Sequence, residues 1–217
     1  MTAAIPAQAQ HYIELDPATH TYYVDGAEAI GVTEVLRLGG LIEDTWYTEY
    51  GRWRGSAVHK ATHYFDEGDI DRRTLDPVIK PFVADWKKFR EDTGFTPTLI
   101  ETPLYDPLHG YCGTPDRVGY FGWNKEKDPN VLIDLKAYPN SQIPEWVRYQ
   151  MAAYGRLVDP NKVFHRFAVR LTGNGPKVDS YPTDTYVEDL NDFLACVRVA
   201  RLHQKLNGGK PHGNPTD

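Results

Sequence analysis

Residues 113–139 read GTPDRVGYFGWNKEKDPNVLIDLKAYP, and within them the apolar run Val131-Leu132-Ile133-Asp134-Leu135-Lys136-Ala137 carries an acid and a base two positions apart. Side chains alternate between the faces of a strand, so Asp134 and Lys136 share one face while Leu135 points into the opposite layer. Taken alone, such a pair is most simply a solvated edge. Upstream, however, Gly113-Thr114-Pro115-Asp116 places a second carboxylate after a turn-like break, in a segment that a hairpin connection would bring beside Asp134. Two carboxylates converging on one spot repel each other unless a cation sits between them. Hard cations such as Mg2+ take oxygen ligands of this kind. Lys136 is no ligand while protonated, but beside such a site it can stabilise a phosphate and help orient an attacking water.

Working outward, "TLIETPLYD", "YCGTPDRVGYFG" and "NVLIDLKAYP" read as three extended segments, the last two joined by the polar "NKEKDPN", which suggests neighbouring antiparallel strands. On their N-terminal side, "HYIEL" and "TYYVDG" flank a turn at "DPATH" and predict a hairpin. A short helix follows in "GVTEVLRLGG", with Thr33 as its expected N-cap. From Asp44 to Phe65, Trp46, Tyr50, Trp53, Ala57 and Ala61 recur on one helical stripe that Gly68 ends. Asp76-Pro77 predicts an N-cap and first position for a helix whose apolar face is Val78, Phe82, Trp86 and Phe89, stopping near Gly94. On the C-terminal side, "IPEWVRYQMAAYGRLV" returns to helical period. "KVFHRFAVRL" and "PKVDSYP" read as strands, and "TYVEDLNDFLACVRVARLHQKL" as a closing helix. This order implies a mixed sheet with helices against it.

The chain has 217 residues, 41% hydrophobic and 12% aromatic, which suits one globular unit, with a loose tail over 206–217. No apolar run approaches the roughly 20 residues of a membrane helix, and the opening "MTAAIPAQAQ" lacks the pattern of a signal peptide, so a cytoplasmic protein with no membrane partner is expected. The only cysteines are Cys112 and Cys196, which excludes a disulfide framework, a four-cysteine zinc site and an iron-sulfur cluster. A formal net charge of -6 argues against coating nucleic acid through the overall field and leaves a local basic groove open. His59 and His63 are four apart on one helix, but Lys60 stands where a zinc protease needs glutamate.

Pro115-Asp116 followed by Asp134-Leu135-Lys136 at the end of a second strand resembles the PD-(D/E)xK nuclease signature. Further elements lie in the order of its RecB-like and phage-exonuclease-like branches. "RGSAVH" is similar to the Gly-x-x-x-His helix motif and maps onto Gly55 and His59; "RYQMAAYG" is similar to the Gln-x-x-x-Tyr motif and maps onto Gln150 and Tyr154. Glu101 fits an acid that several of these nucleases hold near the metals. The N-terminal "HTYYVDGAEAIGVTEVL" is similar to the strand-turn-strand and short helix that often open such domains.

The resemblance implies an α/β restriction-endonuclease-like core, a central mixed sheet flanked by helices with an N-terminal β-hairpin, as a single nuclease domain. It implies two Mg2+ or Mn2+ ions held by His59, Asp116, Asp134 and the Leu135 carbonyl, with Glu101 assisting, Lys136 acting on the water and the scissile phosphate, and Gln150 and Tyr154 supporting the arrangement or the substrate strand. Arg52 and Arg54 are expected phosphate contacts. Tyr138 and Trp146 flank the site, with core burial or base stacking as their two readings.

The activity so implied is metal-dependent hydrolysis of DNA, as a stand-alone exonuclease in recombination, repair or processing, in a bacterial cell or phage-infected host. A homo-oligomer, or a recombination or single-strand-binding protein as partner, is compatible with it. The alternative is a non-catalytic nucleic-acid-binding or scaffold protein on a decayed nuclease fold. No Gly-x-x-x-x-Gly-Lys-Ser/Thr loop marks a helicase motor.

Overall fold

In the computed structural model, which describes residues 11–42, 48–71, 73–137 and 142–206, the expected hairpin forms from β1 (Ile13–Asp16) and β2 (Thr21–Val24). Asp16 holds its turn, accepting from the Ala18 amide and the Thr19 hydroxyl. A third strand, β3 (Ala27–Gly31), extends the ribbon. Its Ala-Glu-Ala-Ile-Gly sequence has little β propensity, so it forms because β2 templates it. α1 (Val32–Leu38) follows with Gly31, not Thr33, at its N-cap; the Thr33 hydroxyl instead accepts from the Gln150 side chain.

α2 (Glu49–Glu67) begins five residues after Asp44, where the Thr48 hydroxyl accepts the Gly51 amide, and ends at left-handed Gly68. Trp46, Tyr138 and positions 207–217 of the expected tail lie outside the described residues. The stripe predicted on α2 does not all turn inward: the buried face is Val58, Ala61 and Thr62, while Tyr50 and Trp53 are 54% and 45% exposed. α3 (Lys80–Thr93) starts later than Asp76-Pro77 predicted. Asp76 makes a turn ahead of the helix, its carboxylate accepting the Val78 amide, and this turn leaves Val78 exposed. Phe82, Trp86 and Phe89 do face the core.

The two extended segments that follow are each broken in the middle. "TLIETPLYD" becomes β4 (Thr96–Ile100) and β5 (Leu104–Asp106); "YCGTPDRVGYFG" becomes β6 (Tyr111–Gly113) and β7 (Arg117–Tyr120). β4 pairs with β7 and β5 with β6, so one long antiparallel ribbon bends and shares itself between two sheets. β8 (Val131–Lys136), α4 (Val147–Val158), β9 (His165–Leu171), β10 (Pro176–Tyr181) and α5 (Tyr186–Leu206) complete the chain. The first sheet has the order β1-β2-β3-β6-β5, and the second β10-β9-β8-β7-β4. Both are mixed, through the parallel pairs β3/β6 and β8/β9.

The alternation read from β8 sorts its two faces. Leu132 packs with Met151, Leu157 and Phe193 of α4 and α5, whereas Ile133 and Leu135 pack with Val58, Phe82 and Trp86 of α2 and α3. The result is an α/β architecture of mixed sheets flanked by helices, in agreement with the restriction-endonuclease-like expectation. Among the described residues no helix is long and apolar enough to cross a membrane.

Candidate active site

The site begins where the long ribbon bends. Glu101 follows β4 and Asp116 precedes β7, so both acids stand at the crossing between sheets, joined by the Glu101 amide donating to the Asp116 carbonyl at 3.1 Å. Glu101 has φ 40°, a left-handed backbone at a non-glycine residue, of the sparsely populated kind that concentrates at functional sites. β7 pairs with β8 only as far as Arg117 opposite Ile133; beyond that point the two strands part while β8 remains paired with β9 through Lys136. Leu135 has the same parity as Ile133, so its N–H and C=O point into the space that β7 has left. Asp116 and His59 fill it: the Leu135 amide donates to Asp116 Oδ2 at 2.6 Å, and His59 Nε2 lies 3.1 Å from the Leu135 carbonyl oxygen.

His59 comes from α2 on one side of the sheet, and its Nδ1 faces Asp116 Oδ1 at 3.5 Å and Glu101 Oε1 at 3.7 Å. Burial disfavours the charged imidazole, yet Asp116 and Glu101 outweigh it and raise the His59 pKa. Glu101 is also gripped by His63 Nδ1 at 3.1 Å and Arg117 Nη1 at 3.1 Å. Burial alone would push its carboxyl up, but hydrogen bonding to His59 and the Arg117 charge hold it down at about 2.

Sequence reasoning left His63 unassigned and passed over Arg117 altogether. Arg117 is fully buried and donates to Asp66 Oδ2 at 2.6 Å, to the Asp116 carbonyl at 2.7 Å and to Thr62 Oγ1 at 3.2 Å. The available signal was a charged residue directly after Pro-Asp in a strand with apolar neighbours.

On the other face of β8, Lys136 Nζ is 2.8 Å from Asp134 Oδ2 and 3.1 Å from Oδ1, beneath the half-buried Trp146 ring at 5.6 Å. Gln150 Oε1, brought by α4, is 3.5 Å from the same amine, and Gln150 Nε2 donates to the Tyr154 hydroxyl at 3.1 Å. Gln150 and Tyr154 are both buried, so they back the lysine from within the fold. Burial pushes the Asp134 carboxyl up to about 6; the Lys136 charge opposes that rise and the Asp116 charge adds to it.

Arg52 is exposed on α2, and Arg54 donates to the Ala137 carbonyl at 3.1 Å while lying over the Tyr50 and Phe82 rings. At Gly55, the glycine of the Gly-x-x-x-His resemblance, a Cβ would meet nothing within 4 Å; the space beside it is open.

The donor set suits a hard divalent cation: carboxylates, an imidazole and a backbone carbonyl. Asp134 Oδ2 is buried without a hydrogen bond and meets Lys136 only as a neighbouring charge. His59 Nε2 and the Leu135 oxygen stand 3.1 Å apart, near enough that both would be available to one bound cation. Among the described residues no three carboxylate, imidazole or thiol side chains are already gathered around one point.

No protein-family model matches the chain, and no curated protein matches it. Among solved structures it is similar to LHK-Exo in complex with dAMP, over 82% of this chain and 91% of that one, at 11% identity and a TM-score of 0.35. A likeness that loose assigns neither a family nor an activity.

Proposed function

We propose that the chain is a Mg2+- or Mn2+-dependent deoxyribonuclease that hydrolyses phosphodiester bonds, acting as an exonuclease on linear DNA. The observation that carries this reading is the parted end of β8, where the Leu135 peptide holds Asp116 and His59 beside the Asp134–Lys136 pair. His59, Asp116, Asp134 and the Leu135 carbonyl would hold a cation; when bound it supplies charge stabilisation to the phosphate and acidifies a coordinated water. Phosphodiester hydrolysis demands removal of about 20 kcal/mol of barrier, beyond what one acid-base pair worth roughly 100- to 10,000-fold delivers.

The chain's own groups divide the remaining work. Lys136 sets a fixed positive charge against the scissile phosphate and orients the attacking water, with Gln150 aiming its amine. Glu101, held down at about 2 by His59 and Arg117, would assist as a fixed negative charge beside the cation. The test incubates the chain with linear double-stranded DNA, linear single-stranded DNA and a closed circle, in Mg2+, Mn2+ or EDTA. Linear DNA should be degraded only with metal and the closed circle spared. Asp134→Ala and Lys136→Ala should abolish cleavage while the fold is retained, and Asp134→Ala should remove Mn2+ binding in calorimetry. Undiminished cleavage by both variants would refute the proposal.

A further inference from the structure

α2 carries two different faces past the site. One edge brings His59 and His63 to Glu101 and Asp116. The solvent face carries Tyr50, Trp53, Lys60 and Tyr64, all exposed. At 100° per residue these four fall within about 80° of one another, along roughly 21 Å of helix. The aromatic members are not isolated. Tyr50 and Trp53 stack with centroids 5.5 Å apart and planes at 29°, and the Arg54 guanidinium lies 5.6 Å from the Tyr50 centroid. The three form a column of flat groups. Its base is tied to the site, since Arg54 donates to the carbonyl of Ala137, the residue after Lys136. Further along, Lys60 Nζ lies 6.0 Å from the Tyr64 centroid, a second aromatic paired with a cation.

We propose that this face of α2 is a stacking platform for the unpaired bases of a nucleic-acid strand entering the site, so that single-stranded or frayed ends are the favoured substrate. The inference rests on the nuclease reading for the direction of the strand, and on the platform itself for the binding. Every base has a π-face that can extend a column of stacked rings, and interleaved cations meet the phosphates between bases. The cations set over the rings favour nucleic acid over an apolar partner surface: Arg54 lies over Tyr50 and Lys60 over Tyr64, with exposed Glu49 and Glu67 at the two ends of the helix. The rings are tyrosine and tryptophan, with no exposed aliphatic side chain in the stripe to build a dry protein contact.

The test uses the full chain in EDTA, with a fluorescein-labelled oligothymidylate of about 12 nucleotides and a blunt duplex hairpin as probes, read by anisotropy. Loss of one stacking ring should weaken oligothymidylate binding by about 5- to 150-fold in Trp53→Ala, with a comparable loss in Tyr50→Ala. Trp53→Phe, which keeps a stacking ring, should recover binding to within about threefold. Hairpin binding should be weaker and insensitive to Trp53→Ala. Because Trp53 is 45% exposed, its variants should keep the wild-type melting midpoint, which is checked alongside. Wild-type oligothymidylate binding by both alanine variants would overturn the platform and leave the stripe to a protein partner; a tryptophan-independent preference for the blunt hairpin would also overturn it. Cleavage is scored separately with Mg2+. A chain that binds through Trp53 but never cuts refutes the nuclease reading alone, and one that cuts but ignores Trp53→Ala refutes the platform alone.

Discussion

Replacing Arg117 by methionine tests the idea that the two acids at the ribbon crossing are held by one buried guanidinium. The arginine has no solvent exposure, and its ion-pair partner Asp66 has none at its side chain either. It joins α2 through Asp66 and Thr62, the end of β4 through Glu101, and the start of β7 through the Asp116 carbonyl. Methionine keeps most of the apolar stem and removes every donor. Asp66 would retain Arg90 Nη1 at 2.7 Å and the Trp86 indole at 2.9 Å, so it would not be stranded completely. Breaking a buried pair from one side costs about 3–5 kcal/mol. In a chain of this size that corresponds to a fall in melting midpoint on the order of 10 °C.

The assay is urea unfolding of wild type, Arg117→Met, Asp66→Asn and the double variant. The single losses should be non-additive by ~1–3 kcal/mol, because they share one interaction. Glu101 would also lose the charge that helps hold its carboxyl at about 2, so its pKa should rise toward the ordinary 4.5. A destabilisation below about 1 kcal/mol with additive single losses would refute the reasoning, because a buried charge network cannot be removed that cheaply if it bears on the fold.

Three further outcomes are expected. Asp85 is buried and accepts the Thr172, Gly173 and Gly175 amides of the turn between β9 and β10, each at 2.8 Å, so Asp85→Ala should cost about 3–5 kcal/mol and expose those amides to hydrogen exchange ahead of β9 itself. Asp134 has a folded pKa raised to about 6 from 3.8, so the folded state binds the proton more tightly and stability falls as pH rises through that window; Asp134→Asn should therefore melt higher than wild type at pH 7 and match it at pH 3. Gly55→Ala should stabilise the chain by about 1 kcal/mol in thermal melts, since a Cβ there meets nothing within 4 Å and alanine is the better helix former.

What is legible in the sequence depends on the range of the forces involved. β8 was legible because an acid and a base inside an apolar run violate strand patterning locally, and α4 because its period and its Gln150–Tyr154 spacing lie within one segment. The bend left a turn-like break at Gly113-Thr114-Pro115, but nothing local says that the two halves of each segment join different sheets, because both halves are equally good extended sequence. The meeting of Glu101 with Asp116 depends on that bend. Arg117 looked like an ordinary strand charge because its partners Thr62 and Asp66 stand 55 and 51 positions away. The outward turn of Tyr50 and Trp53 was hidden for a related reason: a helical stripe fixes which residues share a face, whereas the packing of α2 against α3 and β8 decides how far along its length that face is covered.

Leu135 carries two duties that never compete. Its amide and carbonyl serve the site, and its side chain serves the layer beneath α2 and α3. Any residue that fits that layer offers the same two backbone groups, save proline, which has no amide to give. The interior can therefore drift in volume and shape at this position without disturbing the Asp116 and His59 contacts above it, and the proposed site places almost no veto on how this part of the core evolves.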